Sequence, residues 1–437
     1  FILRTSPLHQ FLTRSLNFVI NYSEIRLRFA RIEAGNAVRM RDRQELSSLG
    51  AGLLEEAERL CVDMLDWRRD LHQFPELAFE ENITASKVTN VLRSIPGVEV
   101  TTGFGIQTSV IGVIGADIPG PALMLRAIMD GTAGEEHTEL PFASCMPGVL
   151  HDCGHDAEMA SLLGAAAILA DHADELEQRI VLLFQPAGEG RSGAKTLTEN
   201  NLIEEFNIGR ALAVNWSPEL AYGELFTRRG VMTALSDRIH IDIRGTAGHA
   251  ALPHITVDPV TIAANIIVTL QTLVTREADP REAVVVSFGH LEAGEAYNII
   301  PEQANLWGTL RAFNPQVRDY MQSRIESVAS SIAKAFRGLA SVEYTRNYSQ
   351  VDNNPDIVES LYRIGVPFFG EDGLHLLEHP LLSGDDFSFI SQRVPSLLML
   401  LGTGLEFPLH HPRYDVPESL LPFSAAWEAY LALTLGR

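Results

Sequence analysis

The sequence predicts an α/β protein into which a smaller α+β domain is inserted. Two patterns indicate this: apolar runs alternate with helical stretches in both outer parts of the chain, whereas the middle part changes to strands that alternate apolar and polar residues. At 437 residues the chain is too long for one ordinary core. We therefore expect a discontinuous larger domain, residues 51–231 and 348–437, and an inserted domain, residues 232–347.

The larger domain begins with a helical stretch that starts at residue 51 and stops near Pro75. Its predicted strands are "TSVIGVIG", "PALMLRAIM", "RIVLLFQP" and, beyond the inserted domain, "PSLLMLLGTG"; the Ala/Leu-rich helix is "MASLLGAAAILADHADELEQ". Strands that alternate with helices indicate a largely parallel sheet, whose functional side chains gather at the carboxyl ends of its strands. Asp130 and Glu189 fall at such ends.

The inserted domain follows a different order of elements. Its predicted strands are "DRIHIDIRG", "AVVVSFGHLEAG", "EQANLWGTLRAF" and "ASVEYTRN", and its helices are "DPVTIAANIIVTLQTLV" and "QVRDYMQSRIESVASSIAKAF". Read along the chain, these elements give the order β-α-β-β-α-β. That order is the ferredoxin-like plan.

Composition and charge exclude several classes of protein. Apolar residues make up 46% and charged residues 21%, as in soluble globular proteins, and the formal net charge of -22 argues against binding to nucleic acid phosphates. The sequence contains no run of 18 or more apolar residues, so no membrane-spanning helix is predicted. The three cysteines offer no disulfide framework, so a reducing, cytoplasmic location is expected. Residues 1–50 are rich in arginine and are expected to lie outside the fold, as an organelle transit segment or a mis-started reading frame.

The stretch "PGVLHDCGHDAEM" is the strongest candidate for chemistry. Cys153 and His155 stand two residues apart just before a predicted helix, so both can face one ion, and thiolate and imidazole are favoured zinc ligands. The alternative is a polar helix start that contains an incidental cysteine. Glu189 at a strand end, and the histidines of "LHHPRYD", His410 and His411, are weaker candidates that strengthen the metal interpretation together.

The inserted domain offers three polar candidates. His249 lies between glycine and alanine in "RGTAGHAALPH" and could donate to an oxyanion or a carboxylate, although packing explains it equally well. Asn298 and Arg311 belong to "AYNIIPEQANLWGTLRAF". Arginine is the natural bidentate partner of a carboxylate, although an exposed strand arginine is the commoner case.

Seven stretches occur in the order of a known family: "RRDLHQFPELAFEE", "PFASCMPGVLHDCGHD", "FQPAGEGRSGAK", "RGTAGHAALPHITVDPV", "AYNIIPEQANLWGTLRAF", "LSGDDFSF" and "LHHPRYD". From about residue 55 to residue 435, the sequence resembles metallopeptidase family M20, in the branch of aminoacylases, hippurate hydrolases and indoleacetyl-amino-acid hydrolases. The resemblance implies a zinc-peptidase-like α/β catalytic domain with a two-metal site and an inserted lid domain that mediates dimerisation. It also implies cleavage of the amide bond of N-acyl amino acids.

The resemblance also implies residue roles. The metal ligands it implies, for zinc or manganese, are Cys153, His155, Glu189 and His410. His249 would polarise the scissile carbonyl, and Asn298 and Arg311 would lie close to the substrate.

Several positions depart from the family pattern. Where the family has A-E-E-G, this chain has Ala187-Gly188-Glu189-Gly190, so the carboxylate of the general base is missing at Gly188. Asn215 takes the place of a further metal-ligand histidine, and Ile128 takes the place of the first acid of the strand motif R-A-D-M-D. Glu158 stands where the family carries a histidine; with Glu135 and Glu136, it is a candidate substitute base.

These departures predict a metal-dependent amidohydrolase with an impaired or altered site. We expect one divalent ion per chain, and at most two, because Asn215 is a poor ligand. The expected partners are a small N-acyl amino acid and a second copy of the chain, joined through the lid. A repurposed enzyme with different chemistry and a non-catalytic binding or regulatory protein remain open. Restoring the carboxylate with Gly188→Glu alone is expected to raise hydrolysis modestly.

Overall fold

The computed structural model describes residues 40–435, with side chains from residue 43 onward. Most of the predicted N-terminal extension, with its targeting interpretation, lies outside the described residues. Its end does not: helix α1 begins at Met40, and Leu46 and Leu49 pack against the core. The boundary expected at residue 50 was therefore too late, because apolar side chains before it continue the helix.

The described residues form two compact units. One contains the described residues up to Gly230, Asp352–Glu378 and the described residues from Phe389 onward; the other contains Val231–Val351 and His379–Ser388. Sequence analysis had assigned His379–Ser388 to the larger domain. Those residues instead belong to the smaller unit, where the backbone of Leu381 donates to Met232.

The strands are, in chain order, β1 Val98–Thr102, β2 Val110–Ile114, β3 Ala122–Ile128, β4 Thr132–Ala133, β5 Val149–Leu150, β6 Ile180–Gln185, β7 Ile208–Ser217, β8 Leu225–Thr227, β9 Gly230–Val231, β10 Leu235–Arg244, β11 Gly248–His249, β12 Val284–Ala293, β13 Ile299–Ile300, β14 Gln303–Ala312, β15 Leu339–Tyr348, β16 Asp352–Asn353, β17 Leu374–Leu376 and β18 Ser396–Gly402.

The α-helices are α1 Met40–Arg59, α2 Cys61–Gln73, α3 Asn82–Ser94, α4 His155–Asp171, α5 Gly193–Glu199, α6 Leu202–Glu205, α7 Pro259–Thr272, α8 Pro315–Ala335, α9 Pro355–Phe369, α10 Ser388–Ser391 and α11 Leu421–Thr434. A π-helical turn, Leu273–Glu277, continues α7. None of the described helices has both the length and the apolar character needed to cross a membrane.

The larger unit is built on an eight-stranded sheet in the order β1-β2-β6-β3-β7-β18-β8-β17. Its central strands, β6, β3, β7 and β18, are parallel to one another, as predicted. Strands β3, β6 and β18 are buried along their whole length, which explains why their sequences are continuous apolar runs rather than alternating ones. Helix α4 is buried on almost every side, so it forms part of the core.

The smaller unit has a four-stranded antiparallel sheet in the order β12-β14-β10-β15, with helices α7 and α8. Ile239, Ile241 and Ile243 alternate along β10 into a core shared with Ile262 and Ile266 of α7. The elements follow the order β-α-β-β-α-β, so the predicted ferredoxin-like plan is confirmed.

Candidate metal centre

Cys153 and His155 are placed by a tight turn into α4. Gly154, between them, has a φ of +84°, a left-handed conformation that favours glycine. A Cβ at this position would lie 2.8 Å from Val416 Cγ2 and 2.9 Å from Trp216 Cδ1, so the packing also demands glycine. This turn brings the buried thiol and the buried imidazole together at the beginning of α4.

Cys153, His155 and Glu189 form the first candidate ligand group, with ligand atoms all within 4.8 Å of one another. His155 Nδ1 donates to the carbonyl oxygen of Asp130 at 2.7 Å, so Nε2 is the nitrogen left for an ion or for Glu189, whose Oε1 lies 3.7 Å away. Such a hydrogen bond is typical of metal-binding histidines, because it fixes the tautomer and the orientation of the ring.

Asp152, Cys153 and His410 form the second group, and Cys153 belongs to both. The Cys153 thiol lies 3.4 Å from Asp152 Oδ1 and 3.4 Å from His410 Nδ1. The backbone N–H of His410 donates to the carbonyl oxygen of Asp152 at 3.0 Å. Sequence analysis did not assign Asp152 as a ligand, although its position directly before Cys153 was visible. The predicted set of Cys153, Glu189 and His410 is divided between the two groups.

The charges of these groups suit a cation. Burial raises the pKa of the Cys153 thiol well above its ordinary value, and the neighbouring Glu189 and Asp152 raise it further. Burial opposes the positive charge of His155, yet Glu158, Glu189 and Asp130 outweigh it and raise the pKa of the imidazole. Sulfur, nitrogen and carboxylate oxygen donors are those that zinc binds, so the residues present fit a divalent ion.

Two buried carboxylates hold the turn that presents Glu189. Asp130 accepts the backbone N–H groups of Gly188 and Glu189, both at 2.9 Å. Glu81 accepts the N–H of Ala187 at 2.8 Å. Sequence analysis placed Asp130 at the strand end but did not find Glu81, which acts from more than one hundred residues away.

The missing carboxylate at Gly188 coincides with a filled space. Gly188 is not among the residues with positive φ, so its backbone conformation does not require glycine. A Cβ on Gly188 would instead lie 2.6 Å from Cγ2 of the buried Ile128. The side chain of Ile128 therefore fills the space that a side chain at residue 188 would need.

The candidate substitute bases have other contacts. Glu158 is buried on α4 and accepts the backbone N–H of Ile128 at 3.3 Å. Glu136 pairs with His72 at 3.2 Å and accepts the N–H of Ser144 at 2.6 Å. Glu135 is exposed. None of the three belongs to either ligand group found among residues 43–435.

Asn215 lies near the carboxyl end of β7, level with Leu400 of β18. It therefore shares the carboxyl-end edge of the sheet with Asp130, which follows β3. The role of Asn215 as a metal ligand stays a prediction.

The smaller unit holds the three predicted substrate-contacting residues. His249 lies in β11, which pairs with β13, and Ala250 donates its N–H to the carbonyl oxygen of Asn298 at 3.0 Å. His249 and Asn298 are therefore neighbours on a small exposed ribbon. Arg311 is half-buried on β14, and burial lowers the pKa of its guanidinium despite Tyr348 and Asp237.

Residues 124–433 match the family described as Peptidase family M20/M25/M40. The chain belongs to this family. Among curated M20 relatives, the IAA-amino acid hydrolase ILR1-like 4 of Arabidopsis thaliana is 35% identical over 400 residues, which are 89% of each protein. The N-acetyl-L-cysteine deacetylase of Bacillus subtilis is 33% identical over 355 residues, 81% of this chain and 83% of the relative.

Solved structures agree with this assignment. A putative aminohydrolase from methicillin-resistant Staphylococcus aureus superposes with a TM-score of 0.78 at 28% identity, over 87% of this chain and 98% of that one. A Bacillus subtilis protein described as a dinuclear metal-binding peptidase of the M20 family gives 0.73 at 28% identity, over 86% and 98%. The resemblance and the fold class predicted from sequence are confirmed, and a divalent metal cofactor is supported.

Proposed function

We propose that this M20 protein is a metal-dependent amidohydrolase of N-acyl amino acids whose hydrolytic step is impaired. One observation carries the proposal: two groups of metal-ligating side chains remain around Cys153, while Ile128 fills the space beside Gly188 where the base would begin. Relatives named as IAA-amino acid hydrolases and as N-acetylated amino acid deacetylases support this substrate class.

Each residue of the site has a proposed role in amide hydrolysis. A divalent ion would polarise the scissile carbonyl and lower the pKa of the attacking water. The hydrogen bond from His155 to Asp130 fixes the imidazole so that its Nε2 could bind an ion, and the hydrogen bonds to Asp130 hold the Glu189 turn. His249 would donate to the carbonyl oxygen, and Asn298 and Arg311 would bind the substrate, with Arg311 on its carboxylate.

The proposed impairment is the loss of the carboxylate at Gly188, which would remove the proton from the attacking water. General-base catalysis typically contributes about 10²–10⁴-fold, so this loss lowers turnover without abolishing binding. Glu158 is a poor substitute, because its carboxylate is buried and accepts the N–H of Ile128.

The second candidate is a non-catalytic binding or regulatory protein. The contact between residues 188 and 128 favours this second candidate. Ile128 replaces the first acid of the family's strand motif, and its side chain fills the space that a glutamate at residue 188 would need. Repurposed chemistry on a similar acyl-amino substrate is a third outcome of the same experiment.

The test is a hydrolysis screen on acetyl, benzoyl and indoleacetyl amino acids, with the full chain loaded with zinc or manganese. We expect slow, metal-dependent release of the amino acid. Cys153→Ser should abolish it, whereas Cys145→Ser, at an exposed cysteine outside both groups, should not. Tight binding of these amides without release of product would favour the binding protein, and neither binding nor release would reject both.

We also propose that the protein forms a homodimer through the smaller unit and is cytoplasmic. The exposed apolar side chains of that unit support the first point. The three free cysteines support the second.

A further inference from the structure

We propose that Asp152 is a metal ligand, so that the chain binds two ions that share Cys153. Asp152, Cys153 and His410 would hold one ion, and Cys153, His155 and Glu189 the other. This inference rests on the metal dependence in the proposed function and adds a ligand that the family resemblance did not supply.

Asp152 and His410 contact each other through both their backbones and their side chains. The backbone N–H of His410 donates to the carbonyl oxygen of Asp152 at 3.0 Å, and His410 Nδ1 lies 3.5 Å from Asp152 Oδ1. His410 has a φ of +64°, an uncommon conformation for a residue with a side chain. Such conformations persist only where the surroundings enforce them, and here they bring an imidazole to a carboxylate and a thiol.

The carboxylate of Asp152 is held in place and lacks a cationic partner among lysine and arginine. Thr132 Oγ1 donates to Asp152 Oδ1 at 2.6 Å, a contact typical of the hydrogen bonds that orient ligating carboxylates. Within residues 43–435, no lysine or arginine forms an ion pair with Asp152, whose side chain is only 7% exposed. The partly exposed imidazole of His410 pairs with this carboxylate, and a metal ion between Asp152, Cys153 and His410 would supply the compensating charge that a buried carboxylate needs.

Asp152 could also replace the metal ligand that is missing at Asn215, where the family has a histidine. Sequence analysis expected one ion because the amide of Asn215 replaces an imidazole. Asp152 adds an anionic oxygen donor next to Cys153, so each ion has three side-chain ligands without Asn215.

The experiment measures metal stoichiometry and affinity in the full chain, by elemental analysis after dialysis and by calorimetric titration of the apo-protein with zinc. Cobalt absorption gives an independent readout of each site. We expect two zinc ions for the wild type, one for Asp152→Asn and one for Glu189→Gln. Glu135→Gln, at an exposed acid outside both groups, is the matched control and should retain two.

The size of the effect separates a ligand from a supporting residue. Loss of a group that only orients a ligand lowers affinity about 10–100-fold, whereas Asp152→Asn should weaken one site by more and change its cobalt spectrum. Should Asp152→Asn fold poorly, His410→Gln tests the same site, since the side chain of His410 is more than half exposed.

Full wild-type affinity at both sites in Asp152→Asn would overturn the inference, as would a wild type that binds only one ion. In either case, loss of metal from Glu189→Gln would leave the proposed function standing. A wild type that binds no ion would reject both.

Discussion

Gly188 and Ile128 share one space: a Cβ on Gly188 would approach Ile128 Cγ2 to 2.6 Å. The expectation that Gly188→Glu alone would raise hydrolysis stays a prediction, and this contact is a steric argument against it that the sequence did not reveal. Strands β3 and β6 are neighbours, with Ile128 level with Gln185, so the residues that follow β6 face the end of β3.

We predict that Gly188→Glu alone lowers the free energy of unfolding by about 1–3 kcal/mol, because it overpacks the site, and that it gives no gain in hydrolysis. Ile128→Asp combined with Gly188→Glu should increase the turnover of N-acyl amino acids, by at most about 10²–10⁴-fold. Ile128→Ala with Gly188→Glu is the matched control, because it supplies the space without the second acid. Chemical denaturation and kcat measurements check these expectations, and a gain from Gly188→Glu alone would contradict the steric account.

Gly154→Ala should destabilise the protein and weaken metal binding. Its positive φ costs an alanine about 1–2 kcal/mol, and contact with Val416 and Trp216 adds to that cost. Gly97→Ala is the matched control, because Gly97 has a φ of +83° but open space around its Cβ position. Melting curves and zinc titrations of the two variants should differ, with Gly97→Ala retaining full affinity. Equal loss of stability in both would mean that the contacts to Trp216 and Val416 contribute nothing.

Stability should fall at alkaline pH through His72. Burial disfavours its charged form, but Asp156, at 2.8 Å, outweighs this and raises the pKa of His72 from 6.5 to about 9. A raised pKa in the folded state stabilises the protein below pH 6.5 and loses that contribution as the pH rises through about 9. The contribution is on the order of a few kcal/mol.

Denaturant melts between pH 6 and 10 check this. His72→Gln should be less stable than the wild type at neutral pH, and the difference should shrink toward pH 10. A difference that stays constant over this range would show that folding does not raise the pKa of His72.

Val268→Arg should dissociate the proposed dimer. Val268 is 70% exposed on α7 of the smaller unit, and an arginine that a dimer interface buried there without a partner would be costly. Val62→Arg is the matched control, since Val62 is 68% exposed on α2 of the larger unit. Sedimentation should show a dimer for the wild type and Val62→Arg, and at least tenfold weaker association for Val268→Arg. A monomeric wild type would reject the dimer itself.

Regular patterns predicted most of the fold. The continuous apolar runs of β3, β6 and β18 identified buried parallel strands, because no other short element needs apolar residues at every position. The spacing of Cys153 and His155 likewise identified a shared site, because the two residues are close in the chain.

Contacts between distant parts of the chain were beyond such reasoning. His410 meets Asp152 across more than 250 residues, and nothing in either local sequence specifies which oxygen faces which nitrogen. The hydrogen bond from the Ala187 N–H to Glu81 also joins distant parts of the chain. It could not be predicted, because a single buried acid leaves no periodic pattern in the sequence. Sequence comparison found the changes at residues 128 and 188 separately, but only coordinates show that they fill one space.

The contacts of Asp130 bear on substitution at residue 188. Its two carboxylate oxygens bind backbone N–H groups at residues 188 and 189, and these groups are the same for every amino acid except proline. A substitution at residue 188, once a smaller residue at position 128 makes room for its side chain, would therefore leave these two hydrogen bonds and the position of Glu189 unchanged. Substitutions at residues 128 and 188 would thus change the side chains beside the candidate metal centre while Asp130 still holds the backbone that presents Glu189.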